Sequence, residues 1–156
     1  MDTNNSVSSN VSRTIQTRLV LPPDTNHMGT IFGGVILSYI DEIAAITAMK
    51  HSRNVVVTAS IDQVTFLSPA KVGDILTLEA IVASTGRTSM EIFVKVENEN
   101  YETGEKTTTT TSFLTMVAKG KDGKPTPVPG VIPETDAEKI LFESASERKK
   151  KRLEKR

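Results

Sequence analysis

Apolar positions along the chain form one long helical block and then a series of short strand-like blocks. Within residues 34–50, Ile36, Leu37, Ile40, Ile43, Ala44, Ile46, Ala48 and Met49 cover nearly every direction of a helical wheel. That predicts a buried helix, because an exposed one shows a continuous polar face. From Gly34 to Lys50 it would be roughly 25 Å long, about the width of a small domain. Residues 12–21 alternate and are β-branched, reading as a strand stopped by Pro22-Pro23, and a polar loop then leads to Gly33-Gly34. The helix closes near His51–Arg53, and beyond it the period becomes strand-like. Residues 54–62, a short piece at 64–67, then 75–84, 87–98 and 105–118 read as strands. Turn residues separate them at Ser68-Pro69, Lys71–Asp74, Thr85-Gly86 and Tyr101–Gly104. One helix followed by sequential strands on short connections predicts an antiparallel α+β domain.

The flanks have a different texture. Residues 1–11 are rich in Asn and Ser and read as a disordered leader before the 12–118 domain. Residues 119–133 hold too much Gly and Pro for a regular element and read as a loop. From 134 to 156 the pattern is helical again, with acids Glu134, Asp136 and Glu138 at the start. Ala137, Ile140, Leu141 and Ala145 form its apolar stripe, expected to dock on the body or on a neighbouring subunit.

Composition narrows the chemistry. The 156 residues suit one domain with its own core. No apolar run reaches the ~20 residues needed to cross a bilayer, and the N-terminus lacks the basic and apolar regions of a signal peptide. Without Cys there is no disulfide framework or thiolate nucleophile, and two histidines, His27 and His51, make a transition-metal site unexpected. A cytoplasmic enzyme without metal or cofactor is the expectation. The formal net charge of zero hides an asymmetry: residues 148–156 hold seven basic groups and one acid, leaving the rest at −6. An acidic body argues against nucleic acid as partner, and the basic tail reads as a solvated helix end.

Asp41 does not suit a buried spine. Its side of the wheel is shared by Gly34, Leu37, Ser38, Ala44, Ala45 and Ala48, mostly small residues that let a backbone or thin ligand approach. An unpaired buried carboxylate is costly, so Asp41 has either a cationic partner or a task. Glu42, a full 100° away, is expected to pair with Lys or Arg. Asn26-His27-x-Gly29-x-x-Phe32-Gly33-Gly34-x-x-Leu37-x-x-x-Asp41-Glu42 resembles the signature of the hot-dog-fold acyl-coenzyme A thioester hydrolases. The resemblance runs in pattern from about Ile15 to Ala118 and is dense in 22–52. It implies an antiparallel sheet wrapped around the long central helix, with a C-terminal helix added here. It also implies acyl-CoA as substrate, a homodimer as the catalytic unit and a hexamer, a trimer of dimers, above it.

By that resemblance Asp41 and Asn26 act on the thioester, and a backbone N–H of Gly33 or Gly34 polarises its carbonyl. Asp41 can serve as general base or as nucleophile through a mixed anhydride. Asn26 can equally be making an Asx-turn in its loop. Arg87-Thr88-Ser89 resembles the family segment that contacts CoA, and an Arg beside hydroxyls suits phosphate oxygens. Gly33 and Asp41, eight residues apart, lie about 12 Å apart along one helix. Both can act on one carbonyl only if they come from different subunits. Three other readings stand beside hydrolysis of acyl-CoA: a hot-dog dehydratase using His27, a non-catalytic acyl-CoA-binding module, and hydrolysis of carrier-protein thioesters.

Overall fold

The structure, a computed structural model, describes residues 5–155. Its elements run β1 (Ser6–Ser8), α1 (Ser9–Ser12), β2 (Thr14–Leu19), α2 (Gly33–Ser52), β3 (Val55–Phe66), β4 (Ile75–Thr85), β5 (Ser89–Glu99), β6 (Lys106–Lys119), β7 (Gly130–Ile132), α3 (Asp136–Glu143) and α4 (Ala145–Glu154). The main sheet has the order β2-β4-β5-β6-β3 and every neighbouring pair is antiparallel. Alternation along the strands divides its two faces. Leu76, Leu78, Met90, Ile92, Val94, Val96, Leu114 and Met116 point at α2, where Ile36, Ile40, Ile43, Ala44 and Ala48 meet them. Full burial of each large side chain is worth about 1.5–3 kcal/mol, so this contact dominates the stability. A five-stranded antiparallel sheet on one long helix is the hot-dog arrangement.

The intervening residues on the sheet, among them Glu79, Glu91, Phe93 and Phe113, face the other way and are covered by α3 and α4. Arg148 of α4 donates Nε–H and Nη2–H to the two oxygens of buried Glu91 at 2.8 and 2.7 Å. Its guanidinium also lies 4.4 Å from the Phe113 ring centroid. Arg152 adds a bond to Glu91 at 3.0 Å. Burial alone would raise the Glu91 carboxyl, but pairing with Arg148 outweighs it and the net shift is downward.

Five expectations are corrected. Residues 6–11, read as part of a leader, are structured: β1 pairs in parallel with β7, and Ser9 donates to buried Glu138. Residues 1–4 of that leader lie outside the described residues, as does Arg156 at the end of the basic tail. Ser-Asn sequence reads as disorder because its partners lie more than 120 residues away. The 119–133 loop likewise carries β7. The pieces at 54–62 and 64–67 are one strand, continued through bulges where the pairing register shifts after Thr58 and again after Asp62. Gln63 takes a positive φ of 49° at the second of these.

The C-terminal helix is two helices. Ser144 Oγ bonds back to Ile140 O at 2.8 Å, competing with the backbone ladder and ending α3. Of its stripe, Ala137 and Leu141 border the sheet with Ile81 and Phe93, while Ile140 stays 65% exposed. Finally, α2 is not buried all round: Gly34, Ser38, Glu42 and Met49 are exposed. That flank adjoins β3, an edge strand whose Val55 and Val57 are 69% and 45% exposed. The wheel merged a core face with an open apolar patch.

Two polar ties hold the periphery. Glu138 accepts from Ser9, from Arg13 at 2.6 Å and from Thr135 at 2.7 Å. Burial opposes its charge, but these bonds bring its carboxyl down to about 2. A depressed carboxylate stabilises the fold above its ordinary titration range, and that contribution is lost as pH falls toward 2. At the other end of α2, buried His51 donates Nε2–H to Pro129 O at 2.8 Å. Burial lowers its pKa, with the carbonyl bond partly opposing.

Candidate active site

The loop before α2 is built by its own backbone. Pro22–Asp24 forms a 3-10 turn, and Phe32 N–H returns to Asp24 O at 3.0 Å. Asn26 sits inside this closure, its N–H bonded to Thr30 O at 2.8 Å. Its side-chain oxygen accepts from Met28 N–H at 2.9 Å, Thr30 N–H at 3.3 Å and Thr30 Oγ1 at 3.2 Å. Backbone N–H groups can only donate, so the acceptor is Oδ1 and Nδ2 takes part in none of these bonds. The Asx-type turn is therefore present, and it fixes the direction in which the amide can donate. Ile31 N–H ties the loop to Ala70 O at 2.9 Å.

Phe32 precedes the helix in extended conformation and provides no side-chain cap. The first turn's N–H groups at Val35 and Ile36 bond back to Phe32 O. Those of Gly33 and Gly34 have no capping side chain, at the end of a 20-residue helix where the dipole favours negative charge. An oxyanion placed there would meet fixed donors.

Asp41 lies two turns further along, at the border between the buried side of α2 and its open flank. Among the described residues it has no cationic partner. Thr58 Oγ1, on β3, donates to Asp41 Oδ1 at 2.7 Å, and Oδ2 has no hydrogen bond among the described residues. Thr58 is the residue that sequence reasoning missed: among Val55–Ser60 it looks like any β-branched strand residue, and only the pairing of β3 beside α2 singles it out. Glu42 does pair as expected, with Arg18 at 2.7 Å, and Arg18 stacks on Tyr39 at 4.0 Å. His27 is exposed and makes no side-chain hydrogen bond among the described residues.

Arg87 and Thr88 occupy the turn between β4 and β5, and Ser89 begins β5. Gly86 N–H bonds Ser89 O at 2.9 Å, and a Cβ on Gly86 would stand 2.6 Å from Ser89 Oγ, so a larger residue there would have to turn the Ser89 hydroxyl aside. Val128 N–H holds the tip by Arg87 O at 2.9 Å. Ser89 pairs with Val117, and Val117 with Val57. The turn is thus two strand spacings, about 10 Å, from the neighbour of Thr58. One chain therefore brings Asp41, Thr58 and the Arg87–Ser89 turn to one end of the sheet. Asn26, Gly33 and Gly34 lie at the other, where Gly33 abuts Phe66 at the far end of β3.

The sequence model of the thioesterase superfamily matches residues 28–105. A Bacillus subtilis protein described as an uncharacterized acyl-CoA thioester hydrolase, YkhA, is 48% identical over 141 residues, covering 90% of this chain and 82% of that one. The chain belongs to the thioesterase superfamily. Among solved members of this thioesterase superfamily, an apo-hexameric acyl-CoA thioesterase superimposes with a TM-score of 0.95 at 62% identity, over 97% of each chain. An acyl-CoA hydrolase from Staphylococcus aureus, in complex with butyryl-CoA, CoA and CoA disulfide, superimposes at 0.92 with 45% identity, covering 96% of this chain and 92% of that one. That thioesterase has also been solved with single alanine replacements at an Asp, an Asn and a Thr. No helix among the described residues is long and apolar enough to cross a membrane.

Proposed function

We propose that this protein hydrolyses acyl-CoA thioesters to CoA and a carboxylic acid, at sites each assembled from two copies of the chain. The observation that carries the proposal is the Asp41–Thr58 hydrogen bond at 2.7 Å on a helix whose first residues, Gly33-Gly34, are uncapped. Thr58 orients one carboxylate oxygen and leaves the other for a water. Asp41 takes a proton as that water attacks the carbonyl carbon, and the oxyanion forms against the N–H groups of Gly33 or Gly34 of the partner subunit. Collapse breaks the C–S bond, CoA leaves as thiolate, and the proton held by Asp41 returns to it. In the alternative route Asp41 attacks directly and water cleaves the resulting anhydride. Asn26 Nδ2 is the donor available to position the water or Asp41, and Arg87, Thr88 and Ser89 receive CoA phosphates. No cofactor or metal takes part in this step.

The helical acid and its threonine lie at one end of each chain and the oxyanion donors at the other, which supports the two-subunit site. The open flank of α2 and the apolar edge of β3 offer a self-complementary surface. The hexamer of the 62%-identical thioesterase supports three such dimers in one particle. In the S. aureus hydrolase the substituted Asn, Asp and Thr are spaced along the chain as Asn26, Asp41 and Thr58 are here, which supports these three as one functional set. A cytoplasmic setting belongs to the same proposal.

Thiol release from a panel of saturated acyl-CoAs, with no added metal, tests the reading. Hydrolysis is expected, enoyl-CoA hydration is not, and His27→Ala keeps most of the activity. Loss of activity in His27→Ala together with enoyl hydration would identify a dehydratase instead. Binding of acyl-CoA without thiol release would identify a non-catalytic module.

A further inference from the structure

His51, in the last turn of α2, is 2% exposed and takes no part in the proposed reaction. Its Nε2–H donates to Pro129 O at 2.8 Å, while Nδ1 is buried without a hydrogen bond among the described residues. A carbonyl only accepts, so Nε2 carries the proton and Nδ1 is left as a desolvated acceptor. That costs free energy which an apolar side chain in the same place would not lose. What the imidazole offers in return is its hold on Pro129. We propose that His51 is a positioning residue for CoA recognition: it anchors the 126–130 segment, and that segment fixes the Arg87-Thr88 turn through the backbone. The inference rests on the hydrolase reading above and on its assignment of that turn to CoA phosphates.

The connection is short and made of backbone. Val128, directly before Pro129, has a buried side chain, and its N–H donates to Arg87 O at 2.9 Å. Prolines at 127 and 129 flank it, each with a fixed φ, so a hold on Pro129 O passes to the Val128 N–H with little slack. On the near side Thr126 N–H donates to Ala118 O, and Ala118 N–H donates to Thr88 O, both at 3.0 Å. The carbonyls of Arg87 and Thr88 are thus both held, one through the strap and one through the end of β6. On the far side Gly130 N–H reaches Asn5 O at 3.1 Å, and β7 pairs with β1. Arg87 itself is exposed, and the aim of its guanidinium at a phosphate depends on the backbone beneath it. The long helix therefore carries the acid Asp41 and, about 15 Å further along its axis, the anchor of the turn assigned to the nucleotide end of the substrate.

Wild type, His51→Leu and His51→Gln are compared on butyryl-CoA and on butyryl-pantetheine, which keeps the thioester and lacks the nucleotide and its phosphates. Leucine fills the place without a donor, and glutamine brings an amide N–H near the position of Nε2. Circular dichroism checks that each variant is folded. His51→Leu should raise KM for butyryl-CoA by about three- to tenfold, the effect of one lost buried hydrogen bond. Its kcat on butyryl-CoA and its kcat/KM on butyryl-pantetheine should stay within about twofold of wild type. His51→Gln should bring KM for butyryl-CoA back toward wild type. An equal loss on both substrates would overturn the inference, because His51 would then serve only the fold, and so would an unchanged KM in His51→Leu. If His51→Leu does not fold, Pro129→Ala reads the same link by loosening the strap: KM for butyryl-CoA should rise about two- to threefold with butyryl-pantetheine unaffected, and no rise would overturn the inference. Arg87→Ala separates the remaining failures. It should raise KM for butyryl-CoA alone, and no rise there would withdraw the turn from CoA binding and the inference with it. Failure of the wild type to release thiol from any acyl-CoA would instead sink the hydrolase reading itself.

Discussion

Asp41→Asn should lower kcat for acyl-CoA hydrolysis by about 10²–10⁴-fold, the usual contribution of a positioned acid–base group. Asparagine keeps the size of the side chain, and its carbonyl oxygen can still accept from Thr58 Oγ1, the 2.7 Å bond that holds Asp41. Its amide cannot take a proton from water at neutral pH, nor form an anhydride. Secondary structure and oligomeric state should match wild type, because Asp41 has no cationic partner among the described residues whose charge would be stranded. Thiol-release kinetics beside circular dichroism and light scattering check this. A folded variant with kcat within a few-fold of wild type would remove Asp41 from the chemistry.

The largest stability effect is expected far from that site. Arg148→Ala removes both bonds to Glu91 at 2.8 and 2.7 Å and leaves that carboxylate in a nearly closed position, 4% exposed. Breaking a buried pair by deleting one partner costs about 3–5 kcal/mol. The lower end applies here, because Arg152 still reaches Glu91 at 3.0 Å. About 3 kcal/mol in a chain of this size lowers Tm by roughly 6–12 °C. Glu91, depressed by Arg148, stabilises the fold above the ordinary carboxylate range and loses that contribution as pH falls through its folded value. The deficit of Arg148→Ala relative to wild type should therefore shrink in acid. Thermal unfolding at pH 7 and pH 4 measures both, and a Tm unchanged at pH 7 would show that α4 is not held by this pair.

The long helix and the hairpin-linked strands were legible because their signals are local. Ile36, Ile40 and Ile43 repeat at helical spacing, and Met90, Ile92, Val94 and Val96 at strand spacing. Glu42 was legible for a similar reason: its place on the wheel points away from the small-residue stripe, where it meets Arg18. What escaped was non-local and polar. Ser9, Arg13 and Glu138 meet across more than 120 residues, and nothing in MDTNNSVSSN announces that its end is structured. Glu91 alternates correctly within β5 and gives no sign that Arg148 and Arg152 will cover it. Thr58 was hidden because its role depends on which strand lies beside Asp41. The split at Ser144 escaped because the apolar stripe runs through it, while the hydroxyl that ends α3 acts on the backbone. The positions at the glycine-rich helix start were findable only through the motif, since glycine in a loop fits a turn equally well.

The central claim is that each site takes its acid from one subunit and its oxyanion donors from the other. Asn26→Ala and Asp41→Asn homodimers should each be poorly active, since both of their sites lose one component. Co-expression with two different tags allows the mixed dimer to be purified. In it one site has lost both residues and the other has recovered both, so activity per dimer should return to about half of wild type if the sites act independently. Recovery to that level is the result the shared site predicts. A mixed dimer no more active than its parents would place Asn26 and Asp41 in one subunit's site and contradict it.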